Sequence, residues 1–98
     1  MKTVDTITVA KRLDNGEQLH LIDVREVDEV ETGKIPGAVN IPLGLLEFRD
    51  NELDKSHEYI MVCRSGGRSG KATKYLESKG FKVMNMAGGM LDWKGPVE

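Results

Sequence analysis

The chain reads as an α/β protein built on a central, mostly parallel sheet with helices on both faces. Three observations predict it. Short apolar runs of strand length recur at residues 19–24, 59–62 and 81–84. Segments with apolar residues at helical spacing precede or separate them, at 7–13 and 69–78. Glycines stand where these helices should stop, at Gly16 and Gly80. Strand and helix therefore alternate, a pattern that favours a parallel sheet covered on both sides.

Taken in order, residues 7–13 form the first expected helix, with Thr6 or Thr8 as its cap and Asp14-Asn15-Gly16 as its stop. Residues 19–24 form a buried strand, interrupted only by His20 and ended by charge. Residues 26–32 are acidic, and Val27 and Val30 lie three apart, so a short helix follows. Glycine and proline punctuate 33–42, leaving room for a brief strand at 38–40. A short helix over 43–48 leads into a polar loop over 52–57. The strand at 59–62 is followed by the helix at 69–78, which carries Ala72, Tyr75 and Leu76 on one face. A strand at 81–84 and a helical turn at 88–93 complete the chain.

Ninety-eight residues are enough for one domain with its own core. Fourteen basic and sixteen acidic side chains leave a net charge of −2, which offers nothing to nucleic acid or an anionic membrane. No apolar run approaches membrane-spanning length, and Met1-Lys2-Thr3-Val4-Asp5 has no apolar signal region. One cysteine forms no internal disulfide. A soluble cytoplasmic protein is the default expectation.

The chemistry concentrates after the strand at 59–62. Cys63, the only cysteine, is followed by Arg64-Ser65-Gly66-Gly67-Arg68-Ser69 and then by the helix. A cysteine nucleophile has to be a thiolate, and cations or a helix N-terminus favour that form. Successive turn amides can converge on an anion, and glycine lets backbone approach it closely. Each feature also has an inert reading. A lone cysteine is commonly a small buried hydrophobe, and Gly-Gly after a strand is commonly a tight turn. Two flanking arginines are poor company for an inert core thiol. In a parallel sheet, ligands bind beyond the carboxyl ends of strands, which is where Cys63 falls, with Asp23 and Arg25 near the end of another strand.

Four segments in order resemble the rhodanese-like sulfurtransferase family. They are Asp23-Val24-Arg25-Glu26, the Gly33 to Pro42 segment with Ile35-Pro36-Gly37-Ala38, the loop Cys63-Arg64-Ser65-Gly66-Gly67-Arg68-Ser69, and Gly88-Gly89 with Trp93. The resemblance spans nearly the whole chain and implies a small rhodanese-like domain. It further implies a Cys63 persulfide that moves sulfane sulfur from thiosulfate or a related donor to cyanide or a thiol. It makes Cys63 the nucleophile. Arg64 and Arg68 would bind the donor anion and favour the thiolate, and Ser65, Gly66, Gly67 and Ser69 would ring the sulfur. Ser69 is equally readable as a helix N-cap. Asp23 and Arg25 would support the loop. No metal or organic cofactor is implied. The sulfur acceptor lies outside the chain, as a small thiol or a thioredoxin-like protein. Lys34 stands where the family usually has histidine, a departure that bears on local packing.

Two other readings belong to different classes. Phosphatases and arsenate reductases use related cysteine loops with Cys-x5-Arg spacing, whereas Cys63 and Arg68 are separated by four residues. A low-turnover sulfur carrier or regulatory module is the third, and relatives that lost turnover usually lack the cysteine.

Overall fold

The computed structural model describes residues 1–98. Its sheet has five strands in the order β1-β5-β4-β2-β3, and every neighbouring pair is parallel. They are β1 (Thr3–Asp5), β2 (His20–Asp23), β3 (Val39–Asn40), β4 (Glu58–Val62) and β5 (Lys82–Ala87). The helices are α1 (Thr6–Asp14), α2 (Val27–Val30), α3 (Leu46–Arg49), α4 (Gly67–Ser78) and α5 (Gly89–Asp92). The expected α/β class and sheet are what the structure has.

The period of the central strand builds two cores. Along β4, Tyr59 and Met61, and Cys63 just beyond it, join Leu46 of α3 and Ala72 and Leu76 of α4 on one face. Ile60 and Val62 join Val9 of α1 and Trp93 just after α5 on the other. Trp93 also donates its indole N–H to the Pro96 carbonyl (2.9 Å), so this anchor is buried with its polar atom satisfied.

Several expectations are corrected. The N-terminal residues form β1, an edge strand unrecognised in the sequence because only Val4 in it is apolar; its pairing to the long β5 holds it. Neither Thr6 nor Thr8 caps α1. Asp5 does, its carboxylate accepting the Thr8 N–H at 2.7 Å. The helix expected over 43–48 is a 3-10 turn, Leu43–Leu45, followed by α3. A second 3-10 turn, Asp50–Glu52, opens what reads as polar loop. The last strand extends to Ala87, carrying the chain to Gly88. The helix after Cys63 begins at Gly67, two residues earlier than expected, so Ser69 lies in its first turn and is not an N-cap.

No helix is long and apolar enough to cross a membrane. Lys34, at the position of the family's histidine, donates to the Ala38 carbonyl (3.3 Å) and pairs with the Glu98 carboxylate. The two residues also exchange backbone hydrogen bonds, 3.2 and 2.9 Å long.

Candidate active site

The chain leaves β4 at Val62, and Cys63 follows with 1% of its surface exposed. Gly66 then takes φ +104°, a left-handed conformation that side chains disfavour, and turns the backbone into α4. Beneath the loop, α5 presents its N-terminus. Met90 N–H donates to the Cys63 carbonyl (2.8 Å) and Leu91 N–H to the Arg64 carbonyl (2.9 Å). Gly89 lies so close that an added Cβ would sit 2.5 Å from both carbonyl oxygens. The Gly-Gly pair at 88–89 is therefore the floor on which the cysteine loop rests.

Donors converge on the sulfur. Gly66 N–H lies 3.0 Å from Sγ and the Ser69 hydroxyl 3.2 Å. Burial is the largest influence on the thiol and pushes its pKa up. The Ser69 hydroxyl and the amides of Ser69, Gly66 and Ser65 together outweigh it, so the Cys63 pKa falls below its ordinary value. Hydrogen bonds at the turn are the foremost of the influences that favour the thiolate here. Ser65, Gly66 and Ser69 thus surround the sulfur through their donors, while Gly67 opens the helix and is exposed.

The Ser69 hydroxyl has a second partner, the Asn85 side-chain oxygen in β5 (2.5 Å). The Asn85 amide nitrogen donates to the Gly66 carbonyl (3.1 Å), which fixes the orientation of the amide and leaves its oxygen facing Ser69. Asn85 was missed in the sequence. Its signal was a polar side chain between Met84 and Met86 in a strand otherwise suited to the core.

The two arginines separate. Arg68 turns to α2, where it pairs with both carboxylate oxygens of Glu29 at 2.5 and 2.8 Å. Arg64 is exposed and enters no ion pair. The Arg68 hydrogen bonds, with help from the Glu26 amide, hold the Glu29 carboxyl down at about 2. Glu29, too, was missed: nothing in the acidic run 26–31 distinguishes the one carboxylate that reaches Arg68.

Asp23 and Arg25 form a buried fork-to-fork pair, with contacts of 2.8 to 3.1 Å. Arg25 continues to the carbonyls of Gly33 (2.8 Å) and Glu29 (3.4 Å). Asn40 closes the arrangement by donating to the carbonyls of Asp23 and Arg25, at 2.8 and 2.9 Å. This network fixes α2 against the sheet, and α2 in turn presents Glu29 to Arg68. Neither Asp23 nor Arg25 bonds the sulfur.

His20 and His57 stack face to face with centroids 4.2 Å apart, at the opposite, N-terminal ends of β2 and β4. A surface groove of about 590 Å³ runs along α1 and the C-terminal residues and includes no residue of the cysteine loop. No cluster of three or more His, Cys, Asp or Glu side chains is placed to share a metal ion.

Fold and loop define a class: parallel α/β domains that hold a cysteine sulfur in a ring of donors where a central strand hands over to a helix. The chain belongs to the rhodanese-like domain family, whose model matches residues 6–96. YtwF of Bacillus subtilis (strain 168) is 44% identical over 98 residues, covering 100% of this chain and 95% of that protein. A sulfurtransferase of Allochromatium vinosum is 35% identical over 91 residues, covering 92% of this chain and 85% of the relative. The crystal structure of a rhodanese-like domain protein from Staphylococcus aureus superposes with a TM-score of 0.95 at 33% identity, covering 100% of this chain and 97% of that one.

Proposed function

We propose that the chain is a single-domain sulfurtransferase that carries sulfane sulfur on Cys63. The observation that carries this reading is the convergence of Gly66 N–H and the Ser69 hydroxyl on a buried sulfur whose acidity they raise. The family supports it, as does the relative named a sulfurtransferase. Cys63 thiolate attacks the outer sulfur of the donor. The S–S bond to Cys63 forms as the donor's own sulfur bond breaks. From thiosulfate, the pair leaves with sulfite and Cys63–S–S⁻ remains. An external thiolate, or cyanide, then attacks the outer sulfur and returns Cys63 as thiolate. No proton has to be removed from a preformed thiolate, so no general base is required.

The loop has the donors to hold such a persulfide. Gly66, Ser65 and Ser69 bear on the inner sulfur, and the N-terminus of α4 favours negative charge above it. Arg64 is the free cation for an anionic donor. The acceptor is external because the chain holds no second cysteine. A small thiol or a thioredoxin-like protein would serve, and a cytoplasmic setting fits such acceptors.

Mass spectrometry after exposure to thiosulfate tests the reading. One sulfur atom should add per chain and be removed by cyanide as thiocyanate, and Cys63→Ser should show neither event. Turnover surviving in Cys63→Ser, or cleavage of aryl phosphates with no use of thiosulfate, would overturn it.

A further inference from the structure

We propose that Glu29 is a specificity-determining residue. By holding the Arg68 guanidinium it withholds that cation from the sulfur donor, and so favours sulfane sulfur borne on a thiol of low net charge over the inorganic dianion thiosulfate. The proposal rests on the sulfurtransferase reading of Cys63.

Arg68 stands five positions after Cys63, in the first turn of α4. A free guanidinium there would be the natural clamp for a divalent anion. Each of its terminal nitrogens instead donates to one oxygen of the Glu29 carboxylate, whose charge offsets its own. The carboxylate does not depend on Arg68 for its place. Glu29 also accepts the Glu26 N–H at 3.0 Å in a capping box, which fixes its side chain at the start of α2. The helix is itself tied down by Arg25, locked on Asp23, through the Glu29 and Gly33 carbonyls. A buried ion pair therefore aims a half-exposed carboxylate at the loop arginine. The Cys63 sulfur is near enough for its charge to act on Arg68. The pair contributes no net charge at the mouth. An approaching dianion meets a thiolate without the Arg68 cation to offset it, and of the two loop arginines only Arg64 is in no ion pair. A persulfide whose own ammonium offsets its charge meets no such deficit.

The test compares two donors that differ in charge. The second-order rate of sulfur loading onto Cys63 is followed by mass spectrometry with thiosulfate and with cysteamine persulfide. Glu29→Gln keeps the shape and removes the charge. It should raise loading from thiosulfate about threefold to tenfold, the worth of one released guanidinium contact at a solvated site. Loading from cysteamine persulfide should stay nearly level. In Glu29→Gln/Arg68→Ala the gain should vanish, because the released cation is gone. Glu29→Ala, at a half-exposed helical position, carries the same test should the glutamine variant fail to fold. Equal changes with both donors, no change, or a gain that persists without Arg68 would overturn the proposal while leaving the sulfurtransferase reading intact. Absence of sulfur on Cys63 with either donor in the unmodified chain would overturn both.

Discussion

Ser69→Ala isolates the hydrogen bond on which the acidity of Cys63 most depends. Burial opposes the thiolate, and the Ser69 hydroxyl is the foremost of the groups that outweigh it. A hydrogen bond to a charged group contributes on the order of 1.5–3 kcal/mol. The lower end applies here. The hydroxyl has one proton, and the Asn85 oxygen at 2.5 Å competes for it with the sulfur at 3.2 Å. About 1.4 kcal/mol is a tenfold change in an equilibrium constant, so the thiol should become about tenfold less acidic. The sign is fixed, since losing a donor to the anion raises the pKa. Ultraviolet absorbance of the thiolate against pH reads this directly. The pH profile of iodoacetamide alkylation should move to higher pH with it. Sulfur transfer should fall near neutrality and recover in alkaline buffer. Ser78→Ala is the control: its hydroxyl is on the same helix but bonds only the Tyr75 carbonyl. An unmoved or more acidic titration in Ser69→Ala would refute the idea that turn donors set the thiolate's stability.

Three further outcomes are expected. Arg64→Ala should weaken thiosulfate use about tenfold, the loss of one charge-assisted contact, whereas Lys74→Ala on the exposed side of α4 should change little; steady-state kinetics at fixed ionic strength compares them. Gly89→Ala should destabilise the fold by about 2–4 kcal/mol in chemical denaturation, since its φ is +57° and its Cβ would meet the Cys63 and Arg64 carbonyls at 2.5 Å. The Glu29–Arg68 pair should stabilise the fold fully above the ordinary carboxyl value of 4.5 and lose that effect as pH falls toward about 2, because folding lowers the Glu29 pKa. The difference in melting temperature between the unmodified chain and Glu29→Gln should accordingly shrink over that acid window, and a constant difference would contradict the pairing.

The site was legible where chemistry and chain punctuation coincide. Cys63 with its glycines stands out because few folds place such residues between a strand and a helix without a use for them. Gly88-Gly89 was legible as part of the C-terminal segment that resembles the family, and the structure shows Gly89 pressed against the Cys63–Arg64 backbone. The partition of the arginines was not legible. The loop spacing singles out Arg68, yet Arg68 is the one that is paired, because α2 brings Glu29 to it and leaves Arg64 in no ion pair. Asn85 is 16 positions from Ser69, and β5 has to run beside β4 before the two side chains meet.

The sequence by itself determined the α/β class, the alternation of strand and helix, the location of the cysteine loop and its four-residue spacing to arginine. Those properties are local, set by periodicity, by glycine and by the order of residue types. Only the tertiary structure decided which cation stays free, which acid neutralises the other, what limits the Ser69 proton and how β1 finds an edge. Each of these depends on side chains or strands far apart in the chain that meet at the carboxyl end of the sheet, or along its edge, after folding. A contact between distant residues is a property of the packing, and local pattern holds no record of it.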